Sequence, residues 1–69
     1  PMISKGSLVM TPAHATGDPE CDAVAGDICL VISDPYPTGG DGTLIVDLFV
    51  QRLAAVRPYY LDKLEVITQ

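Results

Sequence analysis

The stretch Thr43-Leu44-Ile45-Val46-Asp47-Leu48-Phe49-Val50 decides the fold class of this chain. Its even positions, Leu44, Val46, Leu48 and Val50, are uniformly apolar, while Ile45, Asp47, Phe49 and the following Gln51 are mixed. A β-strand turns successive side chains to opposite faces, so this alternation predicts a strand with one face in the core and one partly wet. A helical stripe competes for the same residues, since Ile45, Leu48, Phe49, Leu53 and Val56 follow helical spacing, with Asp41 or Thr43 as a cap and Pro58 as a stop. The β-branched Ile45, Val46, Val50 and Val56 lower helix propensity and favour the strand.

Working outward, the run is launched by Gly39-Gly40-Asp41-Gly42 and preceded by Asp27-Ile28-Cys29-Leu30-Val31-Ile32, which Gly26 opens and Ser33-Asp34-Pro35 closes. Ser7-Leu8-Val9-Met10 stands further upstream and Leu64-Glu65-Val66-Ile67 near the end. All are short, rich in β-branched residues and bounded by Gly, Pro or Asp, the pattern of strands. Two long segments, Thr11 to Gly26 and Asp34 to Gly42, read as loops on their Gly and Pro content. Arg57-Pro58-Tyr59-Tyr60-Leu61-Asp62-Lys63 reads as a 3₁₀ turn leading into the final strand.

The 69 residues allow one domain, spanning 1–69. A chain of this size buries only about 60% of its unfolded surface, so every apolar strand must contribute, and a thin core invites self-association into a homo-oligomer. Leu, Ile, Val and Phe supply 20 of the 69 residues, which excludes a disordered chain. Nine acids against four bases give a net charge of −5, which argues against nucleic acid or an anionic membrane as partner. No apolar run approaches the roughly 18 residues of a membrane span. Pro1 is what removal of an initiator Met leaves, and also what a cut fragment shows. Cys21 and Cys29 are too few for a secreted disulfide scaffold, so reduced thiols are expected, and no Asn offers a glycosylation acceptor.

Three parts of this sequence resemble a known superfamily. Lys5-Gly6-Ser7-Leu8-Val9 is similar to its "G-D-L-V" first strand, and Gly26-Asp27-Ile28-Cys29-Leu30-Val31-Ile32 to its "G-x-I-G-x-V-I" second strand. Arg57 to Ile67 is similar to its 3₁₀ turn and closing strand. Together they resemble the SH3-like barrels, above all the small, largely uncharacterised ones encoded by tailed phages, including cyanophages. The likeness covers some 40 residues and skips both long loops. It implies an all-β, five-stranded SH3-like barrel with two long loops and a 3₁₀ turn before the last strand. It also implies a small phage-encoded interaction or structural module, in the host cytoplasm or the virion. Peptide-binding SH3 domains grip polyproline on an aromatic shelf flanked by acids. This chain has acids in the first long loop but no Trp, and no aromatic residue before Tyr36, which argues against polyproline as ligand.

Candidate chemistry is sparse. His14, Cys21 and Cys29 match no zinc spacing, because structural sites use four ligands with Cys pairs typically about two to four residues apart. Asp18, Glu20 and Asp22 begin like a calcium loop, but Ala23 and Cys29 stand where Gly and Glu are needed. Gly39-Gly40-Asp41-Gly42 lacks the Lys and helix of a phosphate loop. With a single His and no defensible nucleophile–base pair, no catalytic residue, metal or cofactor is assigned and enzymatic activity is not expected. The strongest lead is charge segregation: seven acids and no Lys or Arg lie between Gly6 and Gln51, whereas Arg52, Arg57 and Lys63 gather beside Tyr59 and Tyr60. Tyr and Arg are enriched in binding hot spots, so Arg57, Tyr59 and Tyr60, with Asp18, Glu20 and Asp22 of the acidic loop, are the candidate partner-binding residues. The expected function is non-enzymatic binding of a protein partner. The alternatives are an SH3-type groove for short basic or extended peptides, and a small metal- or redox-responsive protein using His14, Cys21 and Cys29.

Overall fold

A computed structural model describes residues 2–13 and 17–68. The chain forms β1 (Leu8–Met10), a single helical turn α1 (Pro19–Asp22), β2 (Ile28–Val31), β3 (Tyr36–Thr38), β4 (Thr43–Val50) and β5 (Ala55–Tyr60). A 3₁₀ turn (Leu61–Lys63) and β6 (Glu65–Thr68) follow. The strands make one open antiparallel sheet of six strands in the order β3-β4-β2-β1-β6, with β5 paired to β4. The protein is therefore all-β with almost no helix.

The deciding stretch is the spine of this sheet. Its alternation resolves as expected: Val46, Leu48 and Val50 are fully buried, while Ile45, Asp47 and Phe49 face the other way. Leu44 departs from the pattern, being exposed beyond the core's reach. Facing strands add Val9, Cys29 and Val31, and the first long loop folds Val24 and Cys21 over the same core, which Tyr59 completes. The helical reading of 45–56 is excluded by continuous pairing of β4 with β5, from Ile45 opposite Tyr60 to Val50 opposite Ala55.

Three expectations are corrected. The sheet has six strands rather than five. The additional one, β3, lies in the segment read as loop from its Pro and Gly content. Pro37 is compatible with a strand there because β3 pairs only with β4, leaving its other edge without a ladder to interrupt. Second, the 3₁₀ turn is confined to Leu61–Lys63, and Arg57 to Tyr60 complete β5, where Pro58 is tolerated on an edge strand for the same reason. Third, the Thr11 to Gly26 loop contains a helical turn: Pro19 occupies its first position, and Asp18 accepts a hydrogen bond from the Glu20 N–H at 2.9 Å.

Two polar arrangements fix the loops on the sheet. Buried Thr11 donates its hydroxyl to the Val24 carbonyl and accepts from the Asp27 N–H at 2.9 Å, closing the base of the first long loop. Arg52, in the turn between β4 and β5, forms a bidentate pair with Asp27 (Nε–Oδ1 and Nη2–Oδ2 both 2.8 Å) and donates to the Ala23 carbonyl at 2.8 Å. That turn also contains Ala54 at φ 50, a left-handed conformation that a side chain adopts only under local strain.

Candidate binding site

β4 carries β2 and β3 end to end along one edge and β5 along the other. Between β2 and β3 the backbone leaves the ladder, and Ser33 substitutes for it: its hydroxyl accepts from the Asp47 N–H at 2.9 Å, while Ile32 N–H donates to the Asp47 carbonyl at 2.9 Å. The chain then returns as the β3–β4 hairpin, whose turn uses Gly39 and Gly42 at positive φ and the Asp41 carboxylate accepting from Thr43 N–H at 3.0 Å. This hairpin places Thr38 opposite the acidic turn α1, and Tyr36 and Tyr60 flank Ile45 on β4. The Tyr36 hydroxyl donates to Asp47 at 2.7 Å, which pins its ring to the sheet and raises its pKa.

The result is a cleft of about 160 Å³ lined by Asp18, Glu20, Cys21, Thr38, Ile45 and Pro58 together with Tyr59 and Tyr60. Four of the six residues singled out in the sequence therefore converge: Asp18 and Glu20 from the first loop, Tyr59 and Tyr60 from β5. The other two do not line it. Asp22 ends α1 outside the lining, and Arg57 points its guanidinium to the Val56 carbonyl at 3.0 Å. Arg52, counted with the basic cluster in the sequence, is occupied by Asp27. Cys21, Thr38, Ile45 and Pro58 were missed. Of these, Thr38 and Ile45 become legible only once β3 is recognised as a strand.

Tyr59 is 3% exposed, and its hydroxyl is buried without a hydrogen-bond partner. Its polar neighbour is the Cys21 thiol, close enough for each to influence the other's titration but outside hydrogen-bond geometry. Burial raises the pKa of both groups, and the charges of Asp18 and Asp22 push them up further. The floor of the cleft thus holds two neutral, buried side chains in the negative field of Asp18 and Asp22, and that field favours a cationic guest at the rim.

Cys21 and Cys29 are free thiols, and both are buried. Burial, then the Asp27 charge, pushes Cys29 up to about 11. No group of three His, Cys, Asp or Glu side chains capable of holding a metal ion exists among the described residues; His14 lies outside them. No helix among the described residues is long and apolar enough to cross a membrane. Compared with known proteins, the chain matches no family model, no curated protein and no solved structure.

Proposed function

We propose that this chain is a non-enzymatic interaction module of SH3-like barrel type that binds a short basic or extended segment of a protein partner in the cleft between α1, the β3–β4 hairpin and β5. The observation that carries this reading is the convergence of Asp18 and Glu20 with Tyr59 and Tyr60 around one cleft, although some 40 residues separate the two pairs in sequence. The strand succession β6-β1-β2-β4-β5, with a 3₁₀ turn before the last strand, supports the SH3-like assignment, with β3 as an added hairpin arm. The sequence likeness to small barrels of tailed phages supports a phage-encoded module acting on a virion or host protein.

Tyrosines give broad, rigid contact surface at low entropic loss, and acids at the rim steer a cationic segment into register. Without a Trp the cleft offers no deep shelf for proline rings, so charge and hydrogen bonding carry the selection. Titration of isotope-labelled protein with a short extended peptide bearing Arg and Lys should move the amide resonances of Glu20, Thr38 and Tyr60. An acidic peptide of equal length should move none. The Asp18→Asn/Glu20→Gln double variant should weaken the response. A basic peptide that leaves all three resonances in place refutes the reading.

A further inference from the structure

We propose that the outward face of β1, β2, β4 and β5 is the contact surface of a homodimer, occupied by the same face of a second copy of this chain. The register places Leu8 opposite Leu30, Leu30 opposite Phe49, and Phe49 opposite Val56, one continuous apolar row across four strands. Met10 opposite Ile28 starts a second row beside it. Each of these side chains points away from the core formed by Val9, Cys29, Val31, Leu48 and Val50. Ile28, Leu30, Phe49 and Val56 are 44%, 41%, 37% and 49% exposed.

A solvated sheet face normally alternates to polar residues. Here both faces of β2 are apolar along its whole length, with Ile28 and Leu30 outward and Cys29 and Val31 inward. From the ordinary sizes of these residues, the six side chains expose about 400 Å² of contiguous apolar surface, at the scale where patches on monomers mark contact sites. Homodimer interfaces are about 65% apolar, so this patch is the core of an interface of roughly 600 Å² per copy. The total, about 1,200 Å², reaches the lower bound of stable specific interfaces.

Charge restricts how a second copy can approach. The chain carries a net charge of −5, so most approaches of two copies bring like charges together. None of the six positions is charged; Asp47, two residues from Phe49 on the same face of β4, and Glu65, opposite Met10, stand at the margins of the patch. A two-fold axis through the patch pairs each row with its own copy and keeps the acidic loops outside the buried area. Two sheets stacked in this way pack about 10 Å apart, as in a β-sandwich. Each chain thereby gains a second apolar layer that its own length cannot supply.

Sedimentation equilibrium of the full chain, from micromolar to millimolar concentration, tests this. The wild type should pass from one chain mass to two as concentration rises, and added salt should tighten the dimer by screening the acidic surfaces. Leu30→Glu places like charges across the axis and should hold the chain at one mass with its far-UV spectrum unchanged. Val56→Glu, on a different strand, should do the same, so that a folding failure of either variant leaves the other to decide. Leu30→Met should dimerise as the wild type does. A wild type that remains one chain mass at millimolar concentration overturns the proposal, as do glutamate variants that associate like the wild type. Neither result bears on the peptide cleft, whose Asp18, Glu20 and Tyr59 lie outside the six positions.

Discussion

Replacing Tyr59 by Phe should stabilise this protein, against the usual outcome of deleting a buried tyrosine hydroxyl. Where a hydroxyl is hydrogen-bonded in the core, its loss destabilises by about 0.5–1.5 kcal/mol. The Tyr59 ring is packed against the core, but its hydroxyl has no partner, and a buried donor left unsatisfied carries a desolvation penalty of about 1–3 kcal/mol. The adjacent Cys21 thiol is a weak donor and acceptor and offsets only part of that penalty. The ring itself is retained, so no cavity term enters beyond the volume of one oxygen. A net gain of about 1 kcal/mol follows, which for a chain of this length corresponds to a rise in Tm of about 4–8 °C. Urea unfolding at 25 °C, followed by circular dichroism, should show the midpoint rising at constant m. Cys21→Ser places a stronger partner beside the hydroxyl, and in that background Tyr59→Phe should become destabilising. If Tyr59→Phe alone lowers stability by a kcal/mol or more, the hydroxyl is satisfied and the account of the cleft floor is wrong.

Two further predictions concern titration. Arg52 hydrogen-bonds to Asp27 and holds its pKa below the ordinary carboxylate value, against the opposing effect of burial. The ionised form is thus favoured in the folded state. The contribution is complete above the unfolded carboxylate pKa, about 3.9, and is lost as pH falls through the lower folded value. Urea midpoints should fall on acidification below that point, and Arg52→Met should flatten this acid limb; an unchanged limb means the pair contributes nothing to acid stability. The thiols give a kinetic readout, since Cys29 is pushed up to about 11 and Cys21 is also raised and buried. Iodoacetamide at pH 8 should label neither within the time that labels both in urea, by mass spectrometry, and rapid native labelling of Cys29 would contradict its burial.

The strand content was legible because three runs, Leu8–Met10, Ile28–Val31 and Thr43–Val50, combine β-branched residues with bounding Gly and Pro. What failed was local. Pro37 and Pro58 argue against strand by a rule that holds for central strands, whereas β3 and β5 are edges whose status depends on pairing partners distant in sequence. The site was legible in part for the same reason. Asp18 and Glu20, with Tyr59 and Tyr60, were recognisable from residue type and charge segregation, but their meeting depends on α1 folding back over the sheet. Arg57 and Asp22 carried the same signals and do not line the cleft, because type says nothing about direction. Arg52 could not be separated from the other bases in sequence, since its engagement with Asp27 joins positions 25 residues apart.

The position of β4 has a consequence for the order in which the chain assembles. β5 reaches β4 through a turn of four residues, 51–54, and β3 reaches it through another, 39–42, so both pairings close with little loss of chain entropy. β1 must instead find β6, whose nearest paired residues, Met10 and Glu65, are 55 positions apart. Local hairpins should therefore form first on β4, and the β1–β6 ladder should close last. The β1–β6 ladder then forms after the folding barrier, so weakening the β4 hairpins should slow folding, whereas weakening β6 should chiefly speed unfolding.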